Sequence, residues 1–368
     1  MADTNVLKVL VPYLQDVSGT DVLWQLSWEF VQMYAVMLDR TLLENIMGNE
    51  QLAASHLALL CAREVDAVYR PLTVALFARA RLTPMGKNRA DLLLQTLAEA
   101  ASHRVSRITW MGDDAKQFLT RKLNSAIVRL WPSDLFDQYP KVEQLYAECP
   151  ENDTAFATMW VKSRKCLSAV FAGGHRDDAT TLLPSFAPKL TAYDPLANAV
   201  EVAAAALLSP VFSERGTAGM TFGGIGFLFL SALMSVLDSP SEYLHPNGSA
   251  DDAKSWISPE SLEALNERRH CDSPGGQPRH SRVAMAAVEI AYSLFLERSR
   301  NSFQLNLTRE LTDEKVFFMT LCRMTCAKRY SAWALDSCAQ LADHFWELSF
   351  AFNCTPPSRQ NADKCRFF

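Results

Sequence analysis

Residues 218–238 read AGMTFGGIGFLFLSALMSVLD, and this stretch decides how the rest of the chain is interpreted. The twenty residues Ala218–Leu237 carry no charge, and Gly219 and Gly223 stand four positions apart. A transmembrane helix is one interpretation of this length and glycine spacing. We predict instead a fully buried core helix entered through a glycine-rich turn, because Asp238 closes the segment and no basic cluster follows it.

Amphipathic helices dominate the sequence on both sides of this stretch. Apolar residues recur at three-four spacing over 21–47, 51–80 and 87–103, and a further helix begins at Asp113. Helical patterns return over 259–267, 281–298, 312–328 and 333–350. The one predicted strand region is 190–212, where Tyr193-Asp194-Pro195 gives a turn signal. There is no strand-helix alternation typical of a parallel sheet, so the pattern predicts a mainly α fold.

Composition restricts the partners and the compartment. The net charge is -5 without a basic stripe, which argues against a nucleic acid partner. Nine cysteines and four Asn-x-Ser/Thr sequons together favour a secretory-pathway protein. The sequons begin at Asn152, Asn247, Asn306 and Asn353. The first residues, MADTNVLKVLVPYLQDV, show no basic segment followed by an apolar one, so no signal peptide is visible in them.

Several short motifs, in the same order along the chain, resemble the family of neprilysin and the endothelin-converting enzymes. The run Phe222-Gly223-Gly224-Ile225-Gly226, closed by Asp238, is similar to the family pattern N-F-G-G-I-G-x-V-I-G-H-E-I-T-H-x-F-D. Further matches are Ile108-Thr109-Trp110-Met111 with Lys122, Ala192-Tyr193 with Asn198, Ile290-Ala291-Tyr292, and Phe352-Asn353-Cys354 with Cys365-Arg366. The resemblance covers nearly the whole chain and about the C-terminal half of a complete family member. It implies a partial helical domain over 1–135 and a degenerate thermolysin-like domain, with a small β element, over 136–368.

The departures from the family pattern fall on its chemistry, which is peptide hydrolysis by zinc-activated water. The family helix carries two histidines one turn apart as zinc ligands and a glutamate as general base. In register, the segment Ser231-Ala232-Leu233-Met234-Ser235 replaces them, with Ser231, Ala232 and Ser235 at the three functional positions. The third ligand and its orienting aspartate fall on His280 and Ala284, and the substrate-holding Asn-Ala pair on Thr191 and Ala192.

These replacements imply a homologue that has lost its zinc site, needs no cofactor and has no catalytic activity. Small Ser, Ala and Ser side chains can be buried at little cost, especially where a hydroxyl bonds back to the preceding helical turn. We expect such a protein to bind peptides or a protein partner, outside the cell or in a membrane ectodomain as the family does. Two alternatives remain open: an active zinc metallopeptidase with replacement ligands, and a truncated gene product without selected function.

Cysteines and histidines offer two other ligand sets, both of which we interpret as structural. Cys322 and Cys326 stand one helical turn apart, and His270-Cys271 with His280 fits no compact zinc pattern. The family resemblance further implies a disulfide between Cys271 and Cys365. It also implies free thiols at Cys61, Cys326 and Cys354, whose family partners lie in a region that this sequence does not include.

Overall fold

The computed structural model describes residues 11–12, 17–81, 83–130, 146–147, 149, 155–172, 190–237, 244–249, 257–269, 283–300, 308, 310–325, 345–354 and 366–368. The helices before the central apolar stretch are α1 (Gly19–Leu38), α2 (Arg40–Met47), α3 (Glu50–Arg81), α4 (Pro84–Val105), α5 (Asp113–Asn124) and α6 (Phe156–Ala172). The later ones are α7 (Ala218–Leu237), α8 (Pro259–Arg269), α9 (Val283–Arg300), α10 (Asp313–Thr325) and α11 (Trp346–Ala351). The strands are β1 (Ile127–Arg129), β2 (Thr191–Asp194) and β3 (Ala199–Val202). The mainly α prediction is confirmed.

The chain divides into two compact units. One comprises Met1–Thr73 and Tyr139–Ala179, and the other comprises Val74–Gln138 and Thr180–Phe368. The predicted domain boundary at residue 135 rests on the family resemblance and stays a prediction.

The first unit contains α1, α2, α6 and most of α3. The sequence pattern predicts one helix over 21–47, but the helix is interrupted at Asp39. The Oδ1 atom of Asp39 accepts the N–H of Thr41 at 2.9 Å and so caps the start of α2. Rings from α1 and α6 pack together, with the Trp160 centroid 4.9 Å from that of Tyr34. A disulfide joins Cys149 to Cys166 on α6.

The second unit holds a small three-stranded sheet in the order β1-β3-β2. β2 and β3 form an antiparallel hairpin inside the predicted strand region, and Asp194 Oδ1 accepts the N–H groups of Leu196 and Ala197 in its turn. β1 was not predicted, and it pairs parallel with β3 from Ile127 opposite Ala199 to Arg129 opposite Glu201. A three-residue strand with a distant partner leaves no periodic signal in the sequence.

The apolar stretch forms α7, which lies in the core of this unit. The predicted glycine-rich turn at its start is wrong. Gly219 lies in the α-helical residues Ala218–Thr221, and Gly223 lies in a π-helical segment, Phe222–Gly226, within the helix. A Cβ on Gly219 would lie 2.2 Å from the carbonyl oxygen of Asp313, and one on Gly223 would lie 2.3 Å from that of Phe317. The two glycines therefore allow α7 to contact the backbone of α10 directly. Close helix packing explains their spacing.

Candidate functional site

The positions that resemble the family's zinc helix lie on the last turns of α7. Ala232 and Ser235 are each 6% exposed, and Ser231 is half-buried. Ser235 Oγ donates to the carbonyl oxygen of Ser231 at 3.1 Å, which is the predicted bond back to the preceding turn. Ser231 Oγ is buried and has no hydrogen-bond partner among the described residues. At the three positions that resemble the family's zinc ligands and general base, the helix therefore carries two hydroxyl groups and a methyl group.

This donor set does not fit Zn²⁺, which proteins bind through imidazole, thiolate and carboxylate groups. Neither serine presents such a group, and an alanine at position 232 has no oxygen to accept a proton from a metal-bound water. In the part of the chain that the structure describes, no group of three or more His, Cys, Asp or Glu side chains is placed to hold a metal ion.

The remaining family positions lie on α9 and just before it. Ala284 is 1% exposed and belongs to the same apolar core as Ala232 on α7, and the two helices pack against each other. An alanine at this position supplies no carboxylate to orient a ligand. His280 lies outside the described residues.

The strand β2 brings Thr191 and Ala192 beside α7. Thr191 Oγ1 donates to the carbonyl oxygen of Leu228 at 2.8 Å, three residues before Ser231. The N–H of Ala203 donates to the carbonyl of Leu190 at 2.9 Å, which sets the phase of the β2–β3 ladder. Hydrogen-bonded pairs alternate along an antiparallel ladder. The backbone N–H and C=O groups of Ala192 and Asp194 therefore point to β3, and those of Thr191 and Tyr193 point away from it. Among the described residues, none pairs with that outer edge.

A buried carboxylate on α9 was missed by the sequence analysis. Glu289 is 6% exposed, and its two oxygens accept the N–H groups of Phe367 at 2.8 Å and Phe368 at 3.0 Å. Burial raises the pKa of Glu289 to about 7, against the lowering effect of these bonds and of Arg366 and Arg104. The signal was a single acidic residue in the apolar run VAMAAVEIAYSLF.

The motif residue Lys122 is buried and connects α5 to other parts of the second unit through hydrogen bonds. Its side chain is fully buried, and Nζ donates to the carbonyl oxygen of Leu244 at 2.7 Å. Burial lowers its pKa to about 8. The Lys122 carbonyl accepts Asn198 Nδ2 at 3.0 Å, and Asn198 Oδ1 accepts the Tyr193 hydroxyl at 2.7 Å. These bonds tie α5 to the β2–β3 hairpin, so the three motif residues hold the edge strand in place.

Comparisons with known proteins find similarity in sequence to neprilysins and similarity in fold to a solved structure. Neprilysin-11 of Caenorhabditis elegans is 22% identical over 304 residues, covering 75% of this chain and 35% of that protein. Human neprilysin is 20% identical over 403 residues, covering 98% of this chain and 53% of that protein. The crystal structure of PepO from Lactobacillus rhamnosis matches the fold with a TM-score of 0.58 and 16% identity, over 81% of this chain and 49% of that one.

The chain is similar in sequence to the neprilysins. It spans about a third to a half of the length of these curated relatives. No family model matches it.

The cysteines agree with the resemblance at two of the three predicted free thiols. Cys61 and Cys354 are free, exposed thiols, as the resemblance implies. The bond between Cys149 and Cys166 was not predicted. Cys322 is disulfide-bonded, which supports its interpretation as a structural cysteine. The proposed partners Cys271 and Cys365, and the third predicted free thiol Cys326, lie outside the described residues.

Two of the four sequon asparagines, Asn247 and Asn353, are described, and both are exposed. Asn247 lies in a turn, where its Oδ1 accepts the Ser249 hydroxyl at 2.7 Å. Asn353 adopts a left-handed backbone conformation with φ of 55°. Asn152 and Asn306 lie outside the described residues.

The helix Ala218–Leu237 is long and apolar enough to cross a membrane, with a mean hydropathy of 1.9. It is the one such candidate in the described part of the chain. Its most apolar window is 78% buried within the protein, as a core helix of a folded domain would be.

Proposed function

We propose that this chain is a non-catalytic neprilysin-like protein that binds an extended peptide segment and does not cleave it. The observation that carries the proposal is the donor set on α7, where Ser231, Ala232 and Ser235 stand at the positions of two zinc ligands and a general base. A hydroxyl engaged with its own helix, as in Ser235, is a poor substitute for an imidazole.

The peptide-binding part of the proposal rests on the open edge of β2. A sheet edge with unpaired N–H and C=O groups can take an additional strand, which gives affinity through backbone hydrogen bonds. The outward backbone groups of Thr191 and Tyr193 supply donors and acceptors for such a strand. The bond from Thr191 Oγ1 to α7 fixes this edge beside the altered helix.

An active zinc metallopeptidase with replacement ligands is the second candidate. It requires three ligand side chains that converge from positions other than 231, 232 and 235. Metal content and hydrolysis of the purified protein distinguish the two candidates, and a chain that fails to fold in isolation supports the third interpretation, a product without selected function.

Fluorescence anisotropy with a labelled, neuropeptide-sized peptide tests the proposal, with mass spectrometry of the same sample to detect cleavage. We expect binding without cleavage. Two peptides N-methylated at alternate residues, in opposite phases, serve as matched probes, because only one phase removes the N–H groups that face β2. Binding in one phase and loss in the other supports strand addition. Equal binding of both, or chelator-sensitive cleavage, contradicts the proposal.

We also infer an oxidising compartment for the protein, outside the cell or in a membrane ectodomain. The disulfide between Cys149 and Cys166 and the exposed sequon at Asn247 support this location. Secretion from eukaryotic cells behind a supplied leader, followed by endoglycosidase treatment, tests the sequon. We expect a mobility shift that Asn247→Gln reduces, whereas an unchanged mobility argues against glycosylation there.

A further inference from the structure

The N-terminal half of α1, in the first unit, exposes six large apolar residues. Each has between 48% and 70% of its surface accessible, and they are Leu23, Trp24, Leu26, Trp28, Phe30 and Val31. Further along the helix, the Tyr34 ring centroid lies 4.9 Å from that of Trp160 on α6, so α6 packs against α1 there. A contiguous exposed apolar patch of this kind in a folded protein marks an interaction surface.

The six residues form one broad face of the helix around Ser27. Side chains three and four positions apart are neighbours on a helical surface. The four neighbours of the exposed Ser27 at these spacings are all large and apolar: Leu23, Trp24, Phe30 and Val31. Leu26 and Trp28 flank Ser27 on its two sides. A small residue therefore lies at the centre of the apolar face, where it leaves room for another helix to approach.

The apolar pattern is the same in both chain directions from Ser27. The exposed apolar residues lie one, three and four positions before it and one, three and four positions after it. A second α1, antiparallel about a two-fold axis at Ser27, would place Leu23 opposite Val31 and Trp24 opposite Phe30, and the reverse. A two-fold interface requires a self-complementary surface of this kind.

The charges of α1 are compatible with such a pair. Residues 19–38 include two acidic residues, Asp21 and Glu29, and no lysine or arginine. Both lie with Gln25 and Gln32 on the opposite, polar stripe of the helix. Pairing along the apolar face therefore leaves the carboxylates in water and apart from those of the second copy. A helix that lies on an anionic membrane is instead typically rich in lysine and arginine on its polar face.

The exposed apolar area is close to what a weak dimer needs. An aromatic side chain buries about 150–250 Å² and an aliphatic one somewhat less, so the six residues present on the order of 600 Å² per copy at their observed exposure. Two copies would bury about 1,200 Å², the lower end for specific interfaces. We propose that the chain self-associates through α1, which pairs antiparallel about Ser27 with α1 of a second copy. This pairing does not depend on the peptide-binding role of β2.

Sedimentation velocity of the full chain at about 1–100 μM tests the pairing, because weak interfaces of this size dissociate in that range. All proteins carry Cys61→Ser and Cys354→Ser, which remove the two exposed free thiols and their cross-links. We expect a concentration-dependent equilibrium between monomer and dimer. A chain that stays monomeric throughout, whether or not it binds phosphatidylcholine vesicles, overturns the proposal.

Two lysine substitutions on α1 locate the interface. Ser27→Lys should weaken dimerisation by about tenfold or more, because two like charges then meet at the two-fold axis. Gln32→Lys introduces the same side chain at an exposed position of the polar stripe and should leave dimerisation unchanged. Circular dichroism checks that both proteins keep their helix content. Equal dimerisation of the two variants contradicts the assignment of this face.

Mixtures of charged variants test the symmetry of the pair. Ser27→Lys and Ser27→Glu proteins should each be mainly monomeric, whereas their mixture should form a heterodimer because opposite charges meet. Leu23→Lys mixed with Val31→Glu should associate more tightly than Leu23→Lys mixed with Leu23→Glu, since only antiparallel helices bring positions 23 and 31 together. A Ser27 mixture as monomeric as its components, or the reverse order of the two Leu23 mixtures, contradicts antiparallel pairing at Ser27.

Discussion

Replacing Glu289 by glutamine should change how the stability of the protein depends on pH. The pKa of Glu289 rises from 4.5 to about 7 in the folded protein, chiefly because the side chain is buried. Between these two pH values the folded state holds a proton that the unfolded state has lost. The contribution of Glu289 to stability is therefore greatest below about pH 4.5 and decreases as the pH rises through about 7. The difference corresponds to up to about 3 kcal/mol.

Glu289→Gln keeps the shape of the side chain and removes its titration. At acidic pH the variant should be less stable than the parent, because a carboxamide offers one oxygen and an NH₂ group to the N–H groups of Phe367 and Phe368. This deficit should shrink or reverse toward pH 8, as the parent alone bears the cost of a buried charge. The nearby cations Arg366 and Arg104 moderate that cost.

Urea denaturation of the two proteins at several pH values from 5 to 8 measures this difference. Glu297→Gln, an exposed position on the same helix, serves as the control and should follow the parent at every pH. A Glu289→Gln protein whose free energy of unfolding stays parallel to that of the parent refutes the assignment of Glu289 as a buried, titrating group.

Three further experiments test other parts of the structure. Gly223→Ala should lower the free energy of unfolding by about 1–3 kcal/mol or more, since its Cβ would lie 2.3 Å from the Phe317 carbonyl oxygen, whereas Gly19→Ala, with open space around it, should not. Peptide mapping without reduction should find a bond between Cys271 and Cys365, worth up to about 4 kcal/mol in the chain-entropy model; other partners for both would contradict the family mapping. Restoring the family's helix motif should destabilise the protein, because it buries three polar side chains. Peptide hydrolysis should stay near background, because the orienting partner is still missing at Ala284. A rate like that of an intact family member would show that the rest of the site survives. The substitutions are Ser231→His, Ala232→Glu and Ser235→His.

The helices were predictable from the sequence because each buries one face and so repeats apolar residues at helical spacing. The bounds of α3, α4 and α9 differ from the predicted ranges by a few residues. The break between α1 and α2 was not predicted, since it depends on the local side-chain bonds of Asp39 rather than on periodicity. β1 was not predicted, because its strand partner β3 lies about seventy residues away and leaves no local pattern.

The candidate site was predictable only where a motif or a local bond decides it. The bond from Ser235 to the preceding turn follows from helix geometry, and the structure contains it. The contact of Glu289 with Phe367 and Phe368 joins residues nearly eighty positions apart, and no local pattern indicates it. The pairing of Cys149 with Cys166 on α6 is one of many that nine cysteines allow, and cysteine spacing alone does not determine it.

Elemental analysis of zinc in the purified full chain, with a peptide hydrolysis assay on the same preparation, tests the central claim most directly. With Ser231, Ala232 and Ser235 at the family's metal positions, we predict zinc far below one equivalent after incubation with the metal and no hydrolysis that a chelator abolishes. One tightly bound zinc per chain together with chelator-sensitive hydrolysis would contradict the claim that this helix has lost its chemistry without replacement.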